Sequence, residues 1–320
     1  MSWMLLGMAN DLAYELGILS NQQADMNQSP DLDLLRCIRA QKLLYVYLTQ
    51  TATRIGYPSV FPREHISHCI SSTSASPELT QLSRTASSMF FHSAAHLQTK
   101  VLGDHYVDLL EHFNLSLFKW QNKFNTMSKD ITEPLRDTLS IEFHHIKACT
   151  SVITIQAVVV RASSAGFTAA TTDPDETLSA FITPKDAKFL QEVISDTKKV
   201  LHTATMSNFI HRLPYAPARV KISVISSSVF LIKALSIGST HTDVNGALHM
   251  LDQCTSALKS SPADDMDFAL SQGENVTGGS ISYLSSLDSE QLDGGGNFMN
   301  FEPDTTFTVK VRTAISMRGL

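Results

Sequence analysis

The chain is predicted to be all-α, and three observations carry this prediction. Apolar residues recur at spacings of three and four over most of its 320 residues. Prolines and glycines lie mainly between these periodic stretches, where helices begin and end. Hydrophobic residues make up 43% of the chain and charged residues 18%, which is enough apolar material for a packed core. We therefore expect a multi-helix bundle, followed by a disordered acidic C-terminal tail.

The N-terminal segment is predicted to be an amphipathic helix. Its apolar residues recur at helical spacing, namely Leu5, Met8, Leu12 and Leu16. Gly17 follows, and a glycine at this position typically ends a helix. A second helix is expected to begin at Asp31 or Asp33, and to end before residues 56–62, where one glycine and two prolines require a turn. A Ser/Thr-rich stretch at 71–76 is predicted to be a loop.

The middle of the chain is predicted to contain two long helices. The first has a regular apolar spacing at Leu110, Phe113, Leu117, Trp120 and Phe124. Pro134 marks the start of the second. Residues 152–160 are rich in β-branched side chains, which alone would favour a strand. Their flanks have helical periodicity, however, so a helix is predicted there as well.

The last helices lead into a segment of different composition. Residues 163–184 are predicted to be a loop and 186–205 a helix, while the nearly all-apolar stretch 220–237 is expected at the centre of the bundle. A final helix over 245–258 has Leu248, Leu251 and Leu258 aligned. From residue 262 acidic residues accumulate, with no lysine or arginine before Lys310. We therefore predict a helical domain over residues 1–261 and a flexible tail over 262–320.

Charge and cysteine spacing exclude several classes of protein. The net charge of −6 is unlike that of a free-standing nucleic-acid binder, which normally carries a basic surface. The four cysteines are far apart, so neither a disulfide framework nor a sequence-local zinc site is indicated. No secretory signal is recognisable at the N-terminus. The apolar stretch 220–237 contains two lysines and a serine cluster, so we expect no membrane span.

Two groups of residues could bind a metal. Glu142 and His145 have the Glu-x-x-His spacing of helical di-iron sites, but no second such motif follows. His65, His68 and Cys69 lie close together after a proline-rich turn, without a fourth ligand at a recognisable spacing. Structural roles are therefore favoured for both groups, and neither a nucleophile elbow nor a phosphate-binding loop is present.

Four stretches occur in an order typical of one known family. They are Trp3–Ile18, Leu43–Ser59, Glu142–Val159 and Ala216–Leu235, the last followed by Leu251-Asp252 and Ala263-Asp264-Asp265. The third begins Glu-Phe-His-His and the fourth Ala-Pro-Ala-Arg. Together they resemble the middle, regulatory region of fungal zinc-cluster transcription factors, and they span most of residues 1–265. The nearest resemblance is to activators of nitrogen-source and aromatic amino-acid catabolism.

This resemblance implies an all-α regulatory domain in a nuclear transcription factor. The family's six-cysteine zinc cluster is not found in this chain, so no cofactor is expected here and zinc is expected only in an upstream module. DNA would then be contacted only through that module. The early helices of the family's regulatory domain are likewise expected upstream of residue 1, so the apolar face of the first helix would lack part of its partner surface. Further expected partners are a second copy or a related family member, a coactivator bound by the acidic tail, and a small-molecule inducer.

Three hypotheses of function follow. The favoured one is non-enzymatic transcription regulation, with an inducer pocket at Trp120, Glu142, His145 and Phe230 between the central helix and its neighbours. The second is a stand-alone ligand- or partner-binding module that dimerises with full-length relatives. The third is a helical metal-dependent enzyme built on Glu142, His145 and the group at His65. An interhelical hydrogen bond is the simpler interpretation of Glu142 and His145, and a solvating linker is an equal alternative for the tail.

Overall fold

The computed structural model describes residues 2–19, 32–54, 59–70, 75–91, 101, 105–165, 178–238 and 241–259. These residues form helices, turns and short connections, and no strand occurs among them. The predicted all-α fold is therefore confirmed. The described residues divide into two compact units, 2–89 and 90–259. The predicted tail at 262–320 lies outside the described residues, and the single domain predicted for 1–261 stays a prediction.

The first unit is built from four helices. They are α1 (Ser2–Glu15), α2 (Leu32–Arg54), α3 (Arg63–Ile70) and α4 (Ala75–Phe90), of which only the last residue of α4 belongs to the second unit. Helix α4 begins at Ala75, inside the stretch 71–76 that was predicted to be a loop, and residues 71–74 lie outside the described part. Pro77 lies in the first turn of α4, where a proline costs no hydrogen bond. Tyr45 is fully buried, with its ring 5.2 Å from that of Phe61. Its hydroxyl donates to Gln81 Oε1 at 2.8 Å and joins α2 to α4.

The end of α1 agrees with the prediction, whereas its buried face does not. Gly17 has φ 67°, and the amides of Gly17 and Ile18 donate to the carbonyls of Tyr14 and Ala13, the pattern of a Schellman cap. Ala13 is buried on the inner face. Three residues of the predicted apolar row are exposed instead, since Met8, Leu12 and Leu16 are between 52% and 65% accessible. The fourth, Leu5, has its side chain outside the described part. Met4, on the same outer side, is 66% accessible. The helix thus contacts the core through Ala13 and Leu6 and presents most of its other large apolar side chains outward.

The second unit contains seven α-helices within the described residues. They are α5 (His105–Met127), α6 (Glu133–Ser151), α7 (Ile153–Ser164), α8 (Pro184–Thr205), α9 (Ser207–Ile210), α10 (Ala218–Gly238) and α11 (His241–Lys259). Short 3₁₀ helices occur at Ser128–Asp130, Leu178–Phe181 and Leu213–Tyr215. The regular apolar row of α5, from Leu110 to Phe124, is buried as predicted.

The β-branched run is helical, as its flanks predicted. It forms most of α7, which follows α6 after a single turn residue at Val152. Its buried residues pack into the main core, which shows tertiary context overriding intrinsic strand propensity.

Helix α8 begins with a capping box, in which Thr183 accepts from the Asp186 amide and Asp186 accepts from the Thr183 amide.

Helices α6, α8 and α10 form the centre of this unit. Their shared core includes the fully buried Ile141, Val193, Val224 and Leu231. The segments Glu133–Ser164 and Arg219–Ile237 are long and apolar enough to cross a membrane, but 61% and 50% of their most apolar windows are buried inside the structure. Central helices of a packed bundle have the same composition.

The buried face of α11 agrees with the predicted one in part. Leu258 is buried and Leu251 packs against the core, but Leu248 is 41% exposed. The most deeply buried residues are mostly small ones, such as Ala247, Cys254 and Ala257. The spacing of large apolar residues therefore misjudged Leu248 alone among the three.

Candidate functional site

Three of the predicted pocket residues lie between α6 and α10. The Glu142 carboxylate is buried, and its Oε1 lies 2.5 Å from Arg219 Nε. One turn further along α6, His145 Nδ1 lies 3.2 Å from Ser227 Oγ. The His145 ring also stacks on Phe230, with ring centres 6.1 Å apart and planes inclined by 8°. These side chains therefore join two helices, as the simpler interpretation of Glu142 and His145 expects, and their role as an inducer pocket stays a prediction.

Trp120 lies in a different part of the unit. Its ring stacks on Phe143 at 5.2 Å and on Phe124 at 4.9 Å, which joins α5 to α6. Phe143 follows Glu142 directly, and successive residues of a helix point about 100° apart. The structure thus places Glu142, His145 and Phe230 at the contact between α6 and α10. Trp120 packs instead at the contact between α5 and α6.

A polar cluster joins α6 to α8. The Asp196 carboxylate is 1% exposed, with Oδ1 2.7 Å from His144 Nδ1 and Oδ2 3.1 Å from Lys147 Nζ. Lys199 Nζ lies 3.5 Å from Oδ1 on the solvent side. Burial by itself raises the pKa of Asp196, but the hydrogen bond from His144 and the charge of Lys147 outweigh it and lower the pKa below its ordinary value. The ionised carboxylate only accepts, so His144 Nδ1 donates the proton.

A second buried carboxylate joins three helices. Asp186 is fully buried at the start of α8 and accepts hydrogen bonds from Tyr106 of α5 and Arg161 of α7. Thr183 donates to it as well, through its amide at 2.8 Å and its hydroxyl at 2.7 Å. Burial, followed by the hydrogen bond to Asp186, raises the pKa of Tyr106 to about 12. The phenol therefore stays protonated and donates throughout the physiological range.

Glu142, Asp186 and Asp196 thus share one arrangement. Each is a buried carboxylate bound by a cationic side chain of another helix, and removing that cation would leave a buried charge less well compensated. Such pairs define which helix faces meet.

Within the described residues no three His, Cys, Asp or Glu side chains lie together so as to hold a metal ion. His65 and Cys69 are buried in the first unit, and the His68 side chain is outside the described part.

One cleft of about 610 Å³ opens on the second unit, at a place that the sequence did not single out. Helix α11 forms one wall, the segment after α9 forms the other, and the end of α8 closes it. Its lining residues are Thr205, Ile210, His211, Pro214, Tyr215, His249, Asp252, Gln253, Ser256 and Ala257. The available signal was a polar stripe at 249, 252, 253 and 256, which share one face of a helix. Only the packing of α11 against the proline-containing segment turns that stripe into a cleft wall.

Comparison with known proteins provides one informative relative. The chain is 33% identical over 291 residues to "Transcription factor hmgR" of Aspergillus fumigatus. The alignment covers 83% of this chain but 38% of the relative, so the chain spans well under half the length of that protein. No family model matches the chain. No solved structure matches it either. The chain is therefore a distant homologue of a fungal transcription factor.

Proposed function

We propose that this chain is the regulatory part of a fungal transcription factor of the zinc-cluster type. Its role is non-enzymatic, its location is the nucleus, and its targets are genes of catabolism or nitrogen-source use. The observation that carries the proposal is the 33% identity to a fungal transcription factor over 83% of the chain. The ion pair between Glu142 and Arg219 adds to it. These residues belong to two stretches that resemble the family, and they are 77 positions apart in the chain. The ion pair thus joins two of the stretches on which the resemblance rests.

The composition of the chain supports the proposal that DNA and zinc are bound by a different part of such a protein. With a net charge of −6, this part of the protein is poorly suited to neutralise phosphates. Its cysteines do not fit a zinc cluster, since Cys69 and Cys254 are buried in separate cores. We therefore assign zinc and DNA contacts to another part of the protein. The acidic residues at 262–320 would then bind a coactivator.

A tethering experiment tests this function. The chain is fused to a bacterial repressor's DNA-binding domain, and transcription is measured from a reporter with that repressor's operator. We expect at least a five-fold change relative to the DNA-binding domain alone. R219A should abolish the change, whereas K188A, at an exposed surface pair, should retain it. Exchanging the charges, Glu142→Arg with Arg219→Glu, should restore part of the effect by re-forming the pair.

Two outcomes would contradict the proposal. One is a reporter level that the fused chain does not change, although immunoblotting shows normal accumulation of the fusion. The other is specific, salt-sensitive binding of double-stranded DNA by the purified chain alone, which would place DNA contacts in the part proposed to lack them.

A second candidate function, partner binding through the first unit, is favoured by its exposed apolar surface. Helix α1 presents an outward row of four apolar side chains, Met4, Met8, Leu12 and Leu16. The exposed carboxylates of Asp11 and Glu15 lie beside this row. Helix α2 presents Leu32 and Leu43, 60% and 58% exposed, beside Arg36 and Arg39. Exposed apolar rows of this kind are typical of helix–helix interfaces.

The two surfaces complement each other in charge. A two-fold pairing would place the acidic α1 of one copy on the basic α2 of another, and the symmetry would form that contact twice. Sedimentation velocity of the purified chain tests this function. We expect a dimer at micromolar concentration and a monomer for the double variant M8D/L12D. The control L115D alters an equally exposed leucine on α5 and should remain dimeric. A wild-type monomer at 100 micromolar would exclude pairing through this surface.

A further inference from the structure

The cleft between α11 and the segment after α9 has two chemically different walls. His249, Asp252, Gln253 and Ser256 give the α11 wall its polar character, and Gln253 Nε2 lies 3.1 Å from His249 Nε2. Pro214 and the ring of Tyr215, which is 77% exposed, give the opposite wall an apolar surface. A ligand in this cleft would therefore have one polar and one apolar side.

The charges around the cleft favour a cation. Asp252 is a carboxylate, and none of the described residues that line the cleft is lysine or arginine. The last turn of α8 also ends here, and the C-terminus of a helix carries partial negative charge. The Thr205 hydroxyl donates to the carbonyls of Leu201 and His202, at 2.9 and 3.2 Å. The other carbonyl groups of the last turn of α8 are directed towards the C-terminus of the helix, the end at which Thr205 lines the cleft.

An aromatic ring across from a carboxylate adds a second attraction. A cation within about 6 Å of a tyrosine ring centre is attracted by the ring's electron-rich face. Tyr215 and Asp252 both line the cleft, and they belong to two different elements of the fold. A protonated amine between them would contact a full negative charge on one side and an aromatic face on the other.

We propose that this cleft binds a small organic ammonium ion. The ammonium group interacts with Asp252 and Tyr215, and the carbon skeleton packs on Ile210 and Pro214. The cleft volume of about 610 Å³ falls in the range of small-molecule sites. This inference concerns ligand binding by the purified chain, so it holds or fails independently of any role in transcription.

Calorimetric titration with phenethylamine tests the proposal, and 2-phenylethanol is the matched neutral probe. At pH 7.5 the amine is protonated, while the alcohol has almost the same shape. We expect the amine to bind with a Kd of about 1 mM or tighter and the alcohol at least ten-fold more weakly. D252N should weaken amine binding at least ten-fold, and Y215A about three-fold or more, whereas Tyr215→Phe retains most of it.

Control variants separate binding at the cleft from other effects. Asp252 and Tyr215 are exposed, so their substitution should leave the unfolding midpoint unchanged. D108N removes an exposed carboxylate of α5 that does not line the cleft, and it should bind the amine like the wild type. The proposal is overturned if the amine does not bind, if the alcohol binds equally well, or if D252N binds like the wild type.

Discussion

Arg219 Nε lies 2.5 Å from Glu142 Oε1, and this ion pair joins the first turn of α10 to the middle of α6. The two side chains are 14% and 3% exposed, so neither charge would be fully solvated if the other were removed. We expect E142Q to lower the free energy of unfolding by about 3 kcal/mol, because it removes the negative charge beside a largely buried guanidinium.

Urea unfolding measures this effect. The chain has two tryptophans, and in a W3F background Trp120, which stacks on Phe143, reports on the second unit. The double variant E142M/R219M should lose less stability than E142Q, because replacing both charges removes the desolvation cost. A double variant that loses as much as the two single substitutions combined would contradict this account.

Asp196 should stabilise the second unit at neutral pH. Its folded pKa lies below the ordinary value of 3.8, so the stabilisation is complete above about pH 5 and is lost as the pH falls through the folded pKa. We expect D196N to cost about 3 kcal/mol at pH 7 and the difference from the wild type to shrink below pH 4. D252N, at an exposed position, is the control and should cost little at either pH. A D196N deficit that is constant from pH 7 to 3 would contradict the assignment.

The Schellman cap at Gly17 should be sensitive to a side chain. With φ 67°, an alanine at this position would be strained, so G17A should lower the free energy of unfolding of the first unit by about 1 kcal/mol. Gly7 is the matched control, since a Cβ added there meets nothing within 4 Å. G7A should instead stabilise α1 by about 0.5–1 kcal/mol, because Gly7 lies inside a helix. Urea unfolding of a W120F background, followed by Trp3 fluorescence, measures both. Equal effects of G17A and G7A on the free energy of unfolding would contradict the assignment of Gly17 to a Schellman cap.

The cysteines should divide into two reactive and two protected thiols. Burial raises the pKa of Cys69 to about 11 and that of Cys254 to about 12, whereas Cys37 and Cys149 are half-buried. Because the thiolate is the reactive form, Cys69 and Cys254 should resist modification at pH 8. An aromatic disulfide reagent should therefore titrate two thiols rapidly in the folded protein and all four in guanidinium chloride. Rapid modification in the variant C37S/C149S would show that one of the buried sites opens.

The sequence predicted the helices well where their apolar spacing was long and regular. The row from Leu110 to Phe124 on α5 and the start of α6 at Pro134 both occur as predicted. Residues 152–160 show why periodicity was the better guide: their β-branched side chains favour a strand, but burial against the main core outweighs that preference.

The same spacing misjudged some positions of the two helices at the ends of the described chain. Leu12 and Leu248 look inward by their spacing, yet both are exposed, and Ala13 and Ala247 are buried instead. A close helix–helix contact selects small residues, and a pattern of large apolar residues does not detect that choice.

The candidate site shows more clearly which contacts a local sequence pattern cannot predict. Glu142 and His145 could be selected from the sequence as buried polar residues of one helix, but their partners could not. Arg219 and Ser227 are about 80 residues away in the chain, at separations of 77 and 82, and no local pattern links them to α6. The cleft at Asp252 was missed for the same reason, since its two walls meet only when α11 packs beside the segment after α9.

The sequence by itself determined the all-α class, most helix boundaries and the resemblance to a fungal regulator, because periodicity, caps and motifs are local properties of the chain. The tertiary structure alone decided which helix faces are buried, which cation neutralises each buried carboxylate and where a cleft remains open. Those features depend on contacts between residues far apart in sequence, and the free energy of each contact is set by the burial and distance of both partners.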